Sequence, residues 1–529
     1  MTLRKTALAL TTAALLTGLL PATATASTPT ASAATVSEAA VSSAVAARVT
    51  RTDGCLLSKP EPGSTAPVKI CWSVFKPGRA SARTPVPMLM HSHGWGGSRT
   101  TDPQELREYL DAGYGVLSFD QRGFGESGGQ AHVEDPRFEG VDVRKLVDLI
   151  SRLRWVQQDG PRDPRLGAVG GSYGGGYQFL GAFEELRLRG KPVFDALAPE
   201  ITWNSLKGSL APRNVARTEW AAALSAAALP TDALPTGVYQ ALLEAAATGQ
   251  WPDGSGPTGQ DLDAFFERNG PSWHVSQGRR LDIPVLFGQG TTDGLFPLEQ
   301  GLTNWRTAIT AKARRQSIFV GYNGGHVLPQ LLPQGINVTS DPCSRRLAGG
   351  DFRQLSIRFF DEQLKGRRTG LKGYGRIHLA TPASRCTTVD SPAATATRTI
   401  GTVVSTTTVG VPQPVEIAAG PLKLAGTPYL TAAVSTLVPD SRAFYGLAVG
   451  TSPLDARLVQ NNVLPLSEPT PVDGVRRRIA LPSVAVDVPA GQKLFLLVSP
   501  LSDTFVGMGS RVPGTITLTD TVVHLPVVR

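Results

Sequence analysis

The run Gly170-Gly171-Ser172-Tyr173-Gly174 constrains the fold more than any other stretch of this chain. It matches Gly-x-Ser-x-Gly, follows the apolar run Leu166–Val169 and precedes the helix-compatible stretch Tyr177–Leu188. A strand that turns sharply into a helix exposes the serine oxygen, and flanking glycines leave room for the strained turn. The backbone N–H groups beyond the serine then face the point where negative charge develops on an attacked carbonyl. Outside that context the motif would be an ordinary glycine-rich turn.

The surrounding pattern supplies the context. Short apolar runs recur at Val86–Met90, Tyr114–Phe119, Leu166–Val169, Phe194–Leu197, Ile283–Phe287 and Ser317–Val320. Helical patterns such as Gln104–Ala112 and Val141–Val156 lie between several of them. Near-continuous apolar strands separated by helices imply a parallel sheet covered on both faces. The gap before Ile283 is too long for one crossover and holds helical stretches at 219–229, 238–247 and 261–269. These predict an inserted helical cap. The helical spacing of Asp351–Lys365 predicts the helix that closes the α/β domain. After about residue 370, Thr, Val, Pro and Gly dominate and short β-runs recur, which predicts an all-β sandwich. The Thr/Ser/Ala-rich stretch 387–408 reads as a loose connection near its start.

The fold class expected is therefore α/β: a doubly wound sheet with an inserted helical cap, then an all-β sandwich. The expected plan is a signal peptide over 1–26, a flexible N-terminal segment over 27–50, and a catalytic domain over 51–369. The cap falls at about 204–278 and the β-sandwich at 370–529.

Arg4 and Lys5, the apolar stretch from Ala7 to Leu20, and Ala24-Thr25-Ala26 have the order of a secretory leader. The apolar run is shorter than the ~20 residues that span a bilayer. A Sec-type exported, extracellular protein is expected, without membrane attachment once the leader is removed. Export gives the four cysteines an oxidising compartment. Proximity favours Cys55 with Cys71 and Cys343 with Cys386 over the other two connectivities. Neither Cys-x-x-Cys nor His-x-x-x-His spacing occurs, so no metal site is expected. The formal charge of +9 is not gathered into a basic run, so nucleic acid is not an expected partner.

A serine hydroxyl needs a base within hydrogen-bond reach to become a nucleophile. Of the seven histidines, His326 is the candidate, in the glycine loop Gly321-Tyr-Asn-Gly-Gly-His326 after the last apolar run. Asp293 lies directly after Ile283–Phe287, where a carboxylate could orient the imidazole and stabilise its charged form. The chain order Ser172, Asp293, His326 is that of α/β-hydrolases rather than of the chymotrypsin or subtilisin arrangements. His91-Ser-His93-Gly94-Trp95-Gly96-Gly97 follows Val86–Met90, and its glycines let backbone approach a substrate carbonyl. The N–H groups of Trp95 and Tyr173 are the expected oxyanion donors, with the His93 side chain shaping the turn. Asp120 is a rival for the triad acid. The segment Gly123–Gly128 contains Gly-x-Gly-x-x-Gly, but no helix-forming stretch follows at once, so no dinucleotide cofactor is expected.

Together these motifs resemble secreted serine hydrolases of the cocaine esterase / X-Pro dipeptidyl-peptidase (S15-like) family. The resemblance rests on Gly170–Gly175, on Phe119-Asp-Gln-Arg-Gly-Phe-Gly-Glu-Ser127, on Arg358–Gly366, and on Val486–Ser499 in the β-domain. It implies an α/β-hydrolase core, a helical cap, a jelly-roll domain and acyl-serine chemistry without a cofactor. Members of that family place a tyrosine side chain in the oxyanion hole after the early core strand. This chain has His93-Gly94-Trp95 there, which makes a backbone donor the expected one. Secreted tripeptidyl aminopeptidases share Gly-Gly-Ser-Tyr-Gly but resemble the chain less after residue 370.

The sequence thus points to hydrolysis of a small ester or peptide, X-Pro dipeptidyl substrates included, through an acyl-enzyme. The alternative is a non-catalytic protein that binds cell wall or polysaccharide on a degenerate hydrolase fold. The sequence leaves the oligomeric state open.

Overall fold

A computed structural model describes residues 49–327 and 337–528. The expected leader, and all but the last two residues of the 27–50 segment, lie outside the described residues. The central sheet has ten strands: β1 (Val49–Ser58), β2 (Val68–Pro77), β3 (Met88–Ser92), β4 (Gly115–Phe119), β5 (Leu166–Gly171), β6 (Ala196–Glu200), β7 (Leu286–Gly290), β8 (Ile318–Tyr322), β9 (Ile377–Ala380) and β10 (Cys386–Val389). Their spatial order is β1-β2-β4-β3-β5-β6-β7-β8-β9-β10. From β4 to β9 all neighbours run parallel. These strands are buried on both faces, which their apolar sequences require.

The sheet departs from the all-parallel expectation at its ends. β1 and β2 form an antiparallel hairpin that pairs antiparallel with β4, and β10 turns back antiparallel on β9. The expected boundary at 369/370 is also corrected. β9 continues the β8 edge, with Phe319 opposite Ile377, and its four residues are all buried. The catalytic sheet therefore runs to Val389, and the sandwich begins at Ala396. The stretch 387–408 is not a loose connection. Half of it is the strand Ala396–Thr406, paired antiparallel with Thr515–Leu525.

Helices cover both faces of the sheet: α1 (Glu139–Ile150) and α2 (Tyr173–Arg189) on one, and a helix over Phe352–Lys365 on the other. The last opens with a capping box between Asp351 and Gln354, satisfying two otherwise orphaned N–H groups. Between β6 and β7 stands a group of cap helices that includes α3 (Thr218–Ala228) and α4 (Thr236–Thr248). The C-terminal domain is an antiparallel sandwich with its own core around Leu430, Leu447, Leu496 and Leu518. Phe444, Phe505 and Met508 of that domain leave its core and pack with Trp220, Ala228 and Ala241 of the cap.

Both disulfides join the cysteines that proximity favours. Cys55–Cys71 crosses the β1–β2 hairpin, and Cys343–Cys386 ties a short helix to β10.

Candidate active site

Ser172 sits between β5 and α2 with φ 57° and ψ −120°, a left-handed conformation that a serine adopts only under constraint. The constraint is visible. Ser172 N–H donates to the Glu200 carbonyl at 2.9 Å, and the Tyr177 hydroxyl donates to the carbonyls of Met90 and Val169. Gly174 must be glycine, because a Cβ there would lie 2.4 Å from the Ser92 carbonyl oxygen. The turn thereby puts Tyr173 at the first position of a helix, where N–H groups have no intrahelical partner. The helix dipole adds positive potential at the same point.

The candidate acid and base, Asp293 and His326, stand in the loops after β7 and β8. Asp293 Oδ2 lies 2.8 Å from His326 Nδ1. Asp293 Oδ1 accepts the N–H groups of Leu295 and Phe296, both at 2.9 Å. Its carboxylate is fully buried and fixed on both oxygens. The two loops are laced together further by Thr292 Oγ1, which donates to the Gly324 carbonyl at 2.8 Å. Gly325 has φ +108°, and a Cβ there would come within 2.8 Å of Asp293 Cβ, so the close approach requires glycine. The His326 ring is held edge-on between Trp220 and Phe296, with centroids at 5.9 and 5.3 Å.

Ser172 and Phe296 line one cavity, and Phe296 also packs against the His326 ring. Trp95 lines the cavity as well. The loop after β3 passes close to the elbow: a Cβ on Gly94 would lie 3.8 Å from Ser172 Cβ. The Trp95 ring packs edge-on against Tyr173 at 4.9 Å, and its Nε1–H donates to Leu224 of α3 at 2.9 Å. This one side chain connects the nucleophile turn to the cap.

His93 braces that loop from below. Its Nε2 accepts the Gln121 N–H at 3.0 Å, which leaves Nδ1–H to donate to the Gly94 carbonyl at 2.8 Å. Burial lowers its pKa, as this neutral tautomer requires. Asp120 is fully buried, forms an ion pair with Arg99 and accepts the Glu126 N–H at 3.0 Å. It is thus held apart from His326 by other partners. In the glycine segment Gly123 N–H donates to the Gly128 carbonyl at 3.0 Å, closing the loop on itself. The neighbouring Arg122 is buried and holds Asp142 through two hydrogen bonds at 2.9 Å.

Comparison with known proteins follows this geometry. Residues 63–327, which run from before β2 through His326, match X-Pro dipeptidyl-peptidase (S15 family). The chain belongs to the S15 family. Among solved structures, a CocE/NonD family hydrolase from Staphylococcus aureus superposes with a TM-score of 0.62 at 14% identity. It covers 90% of this chain and 93% of that one. An aminopeptidase from a marine sediment Thaumarchaeota archaeon gives 0.60 at 14% identity, over 90% and 96% of the two chains. An α-amino acid ester hydrolase gives 0.54 at 12% identity, over 90% and 97%. At these identities the likeness concerns the fold, and it extends through the β-sandwich of this S15 chain. An uncharacterized 31.7 kDa protein of Escherichia coli is 32% identical over 105 residues, which make up 20% of this chain and 35% of that protein. The match thus spans about a third of that curated relative's length.

Proposed function

We propose that this S15-family hydrolase is a secreted serine hydrolase that cleaves an ester or peptide bond through an acyl-enzyme. Ser172 Oγ attacks the carbonyl carbon while His326 Nε2 takes its proton. Asp293 holds the imidazole by Nδ1 and stabilises the imidazolium that forms. The N–H groups of Trp95 and Tyr173 receive the oxyanion. His326 returns the proton to the leaving alcohol or amine, and water then releases the acid by the same steps in reverse.

The observation that carries this reading is the buried Asp293–His326 pair at 2.8 Å, with Phe296 joining it to the cavity of the strained Ser172 turn. A binding module has no use for a carboxylate locked behind an imidazole in this way. Export is supported by the leader-like N-terminus and by both disulfides. A fluorophosphonate probe tests the assignment. Labelling should be complete in the native protein and absent in Ser172→Ala, and ester turnover should fall with it. A native protein inert to the probe would favour the non-catalytic reading.

The family's X-Pro dipeptidyl-peptidase description supports a second reading in which the scissile bond is a peptide bond after proline. Turnover of glycyl-prolyl p-nitroanilide would support it, and inertness to that substrate while esters are hydrolysed would exclude it.

A further inference from the structure

We infer that the group carried by Ser172 is an uncharged, apolar acyl chain longer than acetyl, held in a cavity under the cap. The inference rests on the serine-hydrolase reading and adds the substrate class. The cavity is narrow, with a volume of about 100 Å³. It extends from Ser172 beneath α3 and α4 to Trp251 and Phe266. Its walls are almost wholly aliphatic and aromatic, as Leu206, Leu224 and Leu242 illustrate. Thr218 and Ser225 are polar exceptions.

Among the described residues, none of the side chains lining it is Asp, Glu, Lys or Arg. A substrate with a free α-amino group would bring an ammonium ion into this space. An unpaired buried charge is strongly disfavoured, and no carboxylate on these walls offsets it. Charges of both signs flank the lining residues in sequence, with Arg217 before Thr218 and Glu219 after it. Arg217, directly before Thr218, is buried with its guanidinium over the Phe505 ring and donates to the Ser209 carbonyl. An apolar chain, by contrast, gains with each methylene it buries, and that gain reaches the transition state because the chain stays bound while the carbonyl reacts.

The test uses the full exported chain and p-nitrophenyl acetate, butyrate and octanoate beside leucine and glycyl-prolyl p-nitroanilides. The expected result is a kcat/KM that rises about two- to fourfold per methylene from acetate to octanoate. Both nitroanilides should turn over far more slowly than the octanoate ester. Ala241→Phe, which fills the cavity from α4, should cut the octanoate-to-acetate ratio about tenfold. Should that variant fold poorly, alkyl fluorophosphonates of increasing length supply the same reading on the native protein through their labelling rates. A flat or falling chain-length series, with Ser172 still labelled, overturns the inference and leaves the hydrolase reading standing. Faster turnover of either nitroanilide does the same. Failure of every probe to label Ser172 removes both.

Discussion

Arg442, on a strand of the β-sandwich, donates from Nη1 to the carbonyl of Gly249 at the end of cap helix α4, at 2.7 Å. The same nitrogen reaches the Met508 carbonyl at 3.0 Å, Nη2 reaches Gln250 Oε1 at 3.1 Å, and Nε holds Asp440 at 2.9 Å. The guanidinium is almost fully buried and spends its donors at the joint between two domains. Nearby, Asn462 Nδ2 donates to the Asp293 carbonyl at 3.4 Å, and the Ser483 N–H to Glu299 at 3.2 Å. The sandwich therefore braces both the cap and the acid loop.

Arg442→Met keeps most of the volume and removes all four bonds. Two buried carbonyls and the Gln250 amide oxygen lose this donor, and Asp440 keeps only that of Gln250 Nε2, a cost of about 2–4 kcal/mol. The cap end should loosen while the triad stays in place. The expected outcome is a lower urea midpoint and a several-fold rise in KM, with kcat changed much less. A variant with native stability and native KM would show that the sandwich does not hold the cap.

Asp293→Asn isolates the acid. Oδ1 accepts two N–H groups, so the asparagine oxygen must stay there and its amide nitrogen must face His326. That nitrogen is a donor, which forces His326 Nδ1 to accept and puts the ring proton on Nε2. The imidazole then has no lone pair for the serine proton. By analogy with the corresponding change in chymotrypsin-type enzymes, kcat should fall about ten-thousandfold with the fold intact. Retention of more than about a tenth of the activity would make the tautomer argument wrong.

The proposed triad was legible because each candidate follows an apolar strand within a few residues and stands in a glycine-containing loop. Sequence shows that pattern well. It shows β1 poorly, since the strand reads Val-Thr-Arg-Thr-Asp-Gly-Cys-Leu-Leu-Ser and most of its side chains face solvent. β9 and β10 were hidden by length, four residues each, beside a Thr-rich stretch that resembles the sandwich. Arg99 gave no signal as the partner of Asp120, because contact across 21 residues leaves no periodicity. The cavity walls were hidden for a different reason. α3 is Thr-Glu-Trp-Ala-Ala-Ala-Leu-Ser-Ala-Ala-Ala, with too little contrast between its faces to show which one lines the site.

The Cys343–Cys386 bridge closes a separation of 43 residues and holds edge strand β10 against the sheet. In the chain-entropy account such a crosslink stabilises by about 4 kcal/mol, an upper figure since measured bridges often give less. Cys343→Ser with Cys386→Ser should lower the melting temperature clearly. Reductant should then produce a further, somewhat smaller drop, since the remaining Cys55–Cys71 pair with its separation of 16 residues is worth about 3 kcal/mol in the same account. Equal melting of the native and doubly substituted proteins would contradict this.

Glu134 gives stability a pH dependence. It is buried at φ 66°, and neither carboxyl oxygen has a hydrogen-bond partner among the described residues. Burial first, then the nearby Glu139 and Asp142, push its pKa well above the usual carboxylate value. Burial holds His274, which borders the same small cavity, down to about 3. Below the ordinary Glu pKa of about 4.5, folded and unfolded chains both carry the Glu134 proton and the group is neutral in the balance. Above it the unfolded chain releases the proton and the folded chain keeps it. Stability then falls by up to about 1.4 kcal/mol per pH unit until the raised pKa is passed. Glu134→Gln removes that term and leaves those of His274 and Glu139. Urea unfolding at pH 5, 6 and 7 should show the variant gaining on the native protein at each step. Parallel curves would mean that Glu134 is already ionised in the fold.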